Sequence, residues 1–429
     1  MALSDRAKTI LSGAAGNVVE WFDFAIYGYL ATIIGHNFFP SEDPFVSTVA
    51  AFGTFAAGYL MRPVGGAVFG YIGDRWGEKV VLIWSVVMMG GASGLIAILP
   101  TYDTAGYFAS IGLVVLRMIQ GFSVGGEFTG SIVYLVKSAR TSQRGIVGAT
   151  ANTGAIIGFL IGSGVAAVLT TTLTQAEMAA WGWRLPFAIG VLIAALAFLM
   201  RSGGLNSAEN IENEITEEAL SEEDLAEENV PIMVALKHHW TVILKFLPLV
   251  AAANIAFYAM FTFAVDFMSS HYHVKESLVL DINTLNMGMM ALFTIVAGWL
   301  ADKLGRKPVL LLTYGSLALF SLPLSWLMFH TNPMLIFLGQ LGFAAICGFG
   351  LGVNPVMLVE WAPKRARNTV ISIGYNITLA VFGGTTPMVA TWLIKEFKSP
   401  LSPIVYLVTF GAVAFVIALF SKESRGKHL

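Results

Sequence analysis

The chain is poor in charge and nearly without cysteine. Charged residues make up 12% of its 429 positions, where a soluble globular chain carries about 25%. So few charges cannot cover a water-facing surface, which excludes a soluble fold. The single cysteine, Cys347, excludes an intrachain disulfide. It lies in an apolar run and reads as a small buried side chain. There is no basic tail, and a net charge of −2 offers nothing to nucleic acid, so no nucleic-acid partner is expected. Also missing are His-Glu-x-x-His, an Asp-rich metal pair and a nucleophile elbow within an apolar run. No enzymatic activity, metal or cofactor is expected. His271 and His273 flank Tyr272 in a loop, and that spacing alone makes no metal site. Arg6 and Lys8 precede the first apolar run, but no small-residue cleavage site follows a short apolar core. That run is read as a retained span rather than a signal peptide.

What the chain has in excess is long apolar runs. Hydrophobic residues make up 56% of it and its mean hydropathy is +0.72. Twelve runs are legible, at about 10–35, 46–72, 80–100, 106–136, 146–172, 183–201, 240–268, 281–301, 308–329, 334–359, 368–394 and 402–420. A helix crosses a bilayer in ~20 apolar residues, and a barrel strand in ~10. The expected fold is an all-α polytopic membrane protein of twelve transmembrane helices in a lipid bilayer. Lysine and arginine orient it. Nineteen fall in the connections of one side, from Arg6 to Lys427, against four on the other (Arg184, Lys275, Lys395 and Lys398). The first side, with both termini, is therefore expected to be cytoplasmic.

A charged turn occurs twice. Gly70-Tyr71-Ile72-Gly73-Asp74-Arg75-Trp76-Gly77-Glu78-Lys79 follows the second run, and Gly298-Trp299-Leu300-Ala301-Asp302-Lys303-Leu304-Gly305-Arg306-Lys307 follows the eighth. Both read Gly-x-x-x-Asp-Arg/Lys-x-Gly-x, ending in Lys. Glycines allow close helix approach and a sharp reversal, while the charges keep the turn in water or in ion pairs. Gly70, Asp74, Arg75 and Gly77, with Asp302, Lys303, Gly305 and Arg306, are the expected gating residues. Val133-Tyr134-Leu135-Val136 similarly matches Val356-Met357-Leu358-Val359. Two halves follow: residues 1–201 and 239–429 as six-helix bundles, joined by a linker over 202–238 whose middle, Glu209 to Glu228, is acidic and lacks Lys and Arg. Duplicated halves are the mark of transporters with a site at the repeat interface.

Ionisable residues within apolar runs are costly and mark function. Glu20 and Asp23 share a face of the first helix with Asn17 and Tyr27, roughly 15–20 Å from its cytoplasmic end at 1.5 Å per residue. Arg62 and Glu127 lie at similar depth, and Arg117 further out. Three acids facing two arginines leave one carboxyl free to carry a proton, so Glu20, Asp23 and Glu127 are the proton-coupling candidates. The expected charge neutralisation runs between these groups across neighbouring helices. At offset 223 Glu127 pairs with Gly350, so proton chemistry is expected in the first half. Arg62 and Arg117 are candidates for a substrate carboxylate, and Asn17, Tyr27, Tyr258 and Asn376 for the rest of the substrate. Asp266, near an outer end, is expected at the surface. The glycines Gly121, Gly125 and Gly126 read as helix packing.

Several stretches resemble the metabolite:proton symporter family of the major facilitator superfamily. They are Gly16-Asn17-x-x-Glu20-Trp21-Phe22-Asp23-Phe24-x-x-Tyr27, Met61-Arg62-Pro63-x-Gly65-Gly66, Arg117-x-x-Gln120-Gly121-x-Ser123-Val124-Gly125-Gly126-Glu127, Trp181-Gly182-Trp183-Arg184-Leu185-Pro186-Phe187 and Phe382-Gly383-Gly384-Thr385-x-Pro387. The run Gly126-Glu127-Phe128-Thr129-Gly130-Ser131 looks most like the proline/betaine branch. The resemblance implies two pseudo-symmetric six-helix bundles in a bacterial inner membrane, importing a small zwitterion with a proton, energised by the proton gradient alone. A monomer is expected. Its alternatives are an organic acid such as 2-oxoglutarate, citrate or shikimate, and, further off, export of drugs or metabolites. The chain ends soon after the twelfth run, without the C-terminal coiled coil of some osmosensing members, so the resemblance leaves osmotic regulation open.

Overall fold

In a bilayer the backbone must satisfy its own hydrogen bonds, and helices do so within one segment. A computed structural model describes residues 5–76, 78–199, 232–364 and 367–427. Among them nine helices are individually long and apolar enough to cross a membrane. Two bent pairs bring the number to eleven, and Ile83–Ile98 is a shorter apolar helix in the third run. The twelve runs thus become twelve spans. Most of the expected linker, as well as Gly77, lies outside the described residues. So do the side chains of Gly70, Asp74, Arg75 and Glu127.

Several spans are broken where the sequence implied continuous runs. Span 1 is Asp5–Tyr29 followed by Ala31–Phe38, bent by 69°. Span 2 is Pro44–Leu60 and Arg62–Trp76, broken at Met61 because Pro63 has no N–H to continue the ladder. Span 4 is Tyr107–Val124 and Glu127–Ser138, interrupted by Gly125 and Gly126. Span 7 begins at Ile232, kinks at His239, and passes through a π-helical turn, Ala259–Phe263, before Ala264–His271. Span 11 does the same: Arg367–Thr378, a π-turn at Leu379–Gly383, then Thr386–Phe397. Such turns are rare in helices and recur at functional sites. Spans 5 (Arg144–Thr172), 8 (Glu276–Leu304), 9 (Arg306–Met328), 10 (Pro333–Trp361) and 12 (Ser402–Phe420) are continuous.

Glycines set how closely the helices approach. A Cβ on Gly121 would run into the Gly58 carbonyl, one on Gly65 into the Phe122 carbonyl, and one on Gly125 into the Arg62 carbonyl. Spans 2 and 4 are therefore in backbone contact, as the sequence led one to expect. Gly145 and Gly298 bring spans 5 and 8 together in the same way across the seam between the first six spans and the last six.

Candidate functional site

At the end bearing the second charged turn, the seam is closed by hydrogen bonds to a carboxylate that an ion-pair network holds in place. Gly305 reverses the chain with φ 105°, a value that favours glycine. Arg306, 1% exposed, grips Glu360 of span 10 through Nε at 3.0 Å and Nη2 at 2.8 Å. Its Nη1 reaches Asp302 at 3.2 Å. Asp302 crosses the seam: its two oxygens accept the backbone N–H groups of Gly145 and Ile146 at 2.8 and 2.9 Å. A carboxylate at a helix N-terminus satisfies orphan donors and the helix dipole together. Lys303 instead lies over the Trp299 ring at 4.2 Å. Residues after span 12 complete the clasp. Glu423 accepts the Arg306 and Lys307 N–H groups, each at 2.9 Å, and Arg144 donates to the Lys427 carbonyl at 2.7 Å. A Cβ on Gly305 would strike the Glu423 carboxylate. We call this the motif end.

The opposite end is closed by weaker, mostly neutral contacts. Thr32 donates to Asp266 at 2.6 Å, Asn283 donates to Tyr29 and Ser163 at 3.0 Å, and Gln340 donates to Asn283 at 2.7 Å. Asp266 is thus a half-buried acceptor in the seam, not a surface residue; the bend in span 1 brings Thr32 to it. Lys395 pairs with Asp43 at 3.2 Å in the open, where water and salt screen the pair.

Between the two ends lies a cavity of about 20 Å³, space for about one water. Trp21, Phe159, Phe257, Tyr258 and Tyr375 line it with Asn152 and Asn254. Both halves contribute, and Asn152 donates across the seam to the Leu351 carbonyl at 2.7 Å. The chain is held closed at both ends around a contracted centre.

The sequence-derived candidates surround that centre in two groups. In the first, Asp23 is fully buried and accepts from Ser93 and, at 3.4 Å, from Gln120 Nε2. Gln120 in turn accepts from Arg117 Nη1 at 2.7 Å. The expected contact between Asp23 and an arginine is therefore relayed through Gln120, because the Arg117 guanidinium is drawn aside by rings, 4.4 Å from Tyr27 and 4.6 Å from Phe24. Tyr27 donates to the Ala51 carbonyl at 3.1 Å. This group does not line the contracted cavity, and neither does Arg62.

In the second group, Arg62 is fully buried, with its guanidinium carbon 5.3 Å from the Trp21 ring and 5.7 Å from the Tyr59 ring. Nε donates to Asn376 Oδ1 at 3.4 Å; Nη1 and Nη2 have no hydrogen-bond partner among the described residues. Trp21 connects this group to the cavity, and Tyr258 lines it directly. Asn17 and Glu20 are buried on the same helix without lining it. Glu127 opens the second helix of span 4, its side chain outside the described residues.

Sequence reasoning passed over Glu360, Ser93 and Asn152. Glu360 sits at the very end of its run and looks like a loop acid. Its signal is the placement of an acid just before Lys364 and Arg365 in an otherwise apolar stretch. Asn152 is a polar residue amid small ones at mid-span, and could have been found by that alone.

A twelve-helix bundle of two six-span halves, clasped at one end by a charged turn and enclosing a central cavity, is the architecture of a major facilitator transporter. Residues 9–429 match the sugar (and other) transporter family, and the chain belongs to it. It is 33% identical over 427 residues to the glycine betaine/proline/ectoine/pipecolic acid transporter OusA of Dickeya dadantii (strain 3937), covering 98% of this chain and 84% of that one. It is 32% identical over 428 residues to the proline/betaine transporter of Escherichia coli (strain K12), with the same coverage. Among solved structures it is similar to the proton:xylose symporter XylE bound to 6-bromo-6-deoxy-D-glucose, with TM-score 0.78 at 18% identity over 98% of this chain and 97% of that one. At that identity the likeness shows the fold. The relatives are membrane transporters, not enzymes.

Proposed function

We propose that the chain is a proton-coupled symporter for a small zwitterion of the proline/betaine kind, working by alternating access. It would lie in a bacterial inner membrane with both termini cytoplasmic, as the lysine and arginine bias implies. The observation that carries the reading is Arg62. A buried guanidinium whose two amino groups have no hydrogen-bond partner among the described residues is costly, and a carboxylate is the group that fits its fork. The aromatic walls from Trp21, Tyr258 and Tyr375 suit the cationic nitrogen of the same substrate. An organic acid would use Arg62 equally well but would leave those rings without a cation.

The cavity is contracted, so substrate binding requires the rings to part. Asp23 is the favoured proton carrier. It sits between burial and neighbouring donors, so a change of surroundings is enough to make it take up or give up a proton. Binding that draws the halves together while Asp23 is protonated would couple the two movements.

The test is uptake into proteoliposomes with an imposed pH gradient, using labelled proline, glycine betaine, 2-oxoglutarate and citrate. Gradient-dependent uptake of proline or glycine betaine is expected. Uptake of citrate alone would move the assignment to organic acids, and uptake of none would remove it.

A further inference from the structure

Asn376 belongs to span 11, in the last six spans, yet two of its three side-chain hydrogen bonds among the described residues reach into the first six. Its Nδ2 donates to the Gly125 carbonyl at 2.8 Å and to Ser372 on its own helix at 3.3 Å, while its Oδ1 accepts from Arg62 Nε at 3.4 Å. Gly125 lies at the interruption of span 4, and Arg62 is the first residue after the interruption of span 2. The side chain therefore ties together two helix breaks from across the seam, and it is 1% exposed.

We infer that Asn376 is a positioning residue that makes the carboxylate anchor competent only while the halves are closed beside it. This rests on the reading of Arg62 as that anchor. A guanidinium presents five donors in one plane. Asn376 holds the Nε edge, and Trp21 and Tyr59 flank the plane at 5.3 and 5.7 Å. What has no hydrogen-bond partner among the described residues is the Nη1–Nη2 pair, the fork that grips a carboxylate. At 3.4 Å the Arg62 contact is near the limit of a hydrogen bond and adds little stability. Its effect lies in orientation.

Span 11 enters from the motif end at Arg367, and Asn376 sits between that entrance and the π-turn at Leu379–Gly383. Opening the motif end moves span 11 away from spans 2 and 4 and breaks both cross-seam bonds together. Arg62 then loses its orienting partner, and the carboxylate its aligned fork. Affinity falls as the exit opens, and substrate leaves on that side.

Uptake of labelled proline by native and variant proteoliposomes tests this. Asn376→Ala should raise KM about tenfold, the cost of misaligning one charge-assisted hydrogen bond from Arg62 to the substrate carboxylate, while Vmax falls no more than about twofold. Asn376→Asp places a carboxylate on Arg62 that competes with the substrate, and should raise KM further. Arg62→Lys should raise KM by itself, and adding Asn376→Ala should change it little, since both act through one contact. A KM left at the native value in Asn376→Ala, or effects of the two changes that simply add, overturns the inference and leaves the anchor reading standing. Absence of uptake of any carboxylated compound by the native protein overturns both.

Discussion

Tyr59 and Tyr258 meet hydroxyl to hydroxyl at 2.5 Å across the seam, each fully buried. Tyr258 is also a wall of the central cavity, so the pair joins that wall to span 2. Two glycines of span 11 make the slot that holds it. A Cβ on Gly384 would come within 2.5 Å of Tyr59, and one on Gly383 within 3.1 Å of Tyr258. Tyr59→Phe and Tyr258→Phe remove the same bond. Each should destabilise the closed state by about 1 kcal/mol, and the double variant should be no worse than either one. Thermal unfolding in detergent reads this directly. Shifts that add would mean that the hydroxyls do not act as a pair.

The slot itself gives the second prediction. Gly384→Ala asks a tyrosine ring to move within a closely packed seam, and overpacking costs about 1–3 kcal/mol. The change penalises only the state in which Tyr59 sits against span 11, so folded protein should form while the closed state becomes less populated. Gly121→Ala is different. Its Cβ meets the Gly58 backbone rather than a ring that can swing, so folded yield should fall. Equal yields of the two variants in detergent-solubilised membranes would contradict that distinction.

The scaffold was largely legible in the sequence, because bilayer crossing demands long apolar runs and paired charged turns announce duplication. Asp23, Arg62 and Arg117 were legible because a charge in such a run has no structural excuse. The break at Leu30 and the π-turns in spans 7 and 11 were not. They depend on which side chains from other helices fill the space, which apolar periodicity does not record. The different surroundings of Arg62 and Arg117 were hidden for the same reason. Both are buried arginines in the sequence, and only packing places one beside Trp21 and the other among Phe24, Tyr27 and Gln120.

Asp23→Asn keeps the shape and both neutral donors but removes the titrating group. Gradient-driven uptake should fall by the coupling factor, typically ~5–150-fold, while exchange of labelled for unlabelled substrate without a gradient persists. Loss of exchange together with uptake would assign Asp23 to folding or binding instead.

Glu360→Gln leaves Arg306 without its bidentate partner, and removing one member of a buried pair costs about 3–5 kcal/mol. Because Arg306 also orders Asp302 against the start of span 5, the loss is concentrated in the closed motif end. Spin labels at cysteines replacing Lys137 and Lys364, both exposed at that end, in a Cys347→Ser background, should show a longer-distance population absent without the change. An unchanged distance distribution would mean that the clasp does not hold the two halves.

Glu423 supplies a pH prediction whose sign is fixed. Burial alone would raise its carboxyl, but backbone N–H groups of Arg306, Arg425, Lys307 and Ser424 outweigh that and hold it below the ordinary value of 4.5. A carboxyl depressed in the folded state contributes fully above its unfolded value and loses that contribution as pH falls through the folded one. The clasp at Arg306 and Lys307 should therefore be constant from about pH 5 to 8 and weaken only in stronger acid. Glu423 is largely exposed, so its worth is screened to below about 1 kcal/mol. Melting curves of the native protein and Glu423→Gln should run parallel from about pH 5 to 8, offset by a small, constant amount, and converge only in acid below the ordinary carboxyl value of 4.5. Any change of transport rate within the upper window then belongs to another group. Curves that diverge between about pH 6 and 8 would show that Glu423 titrates there, contrary to its hydrogen bonds.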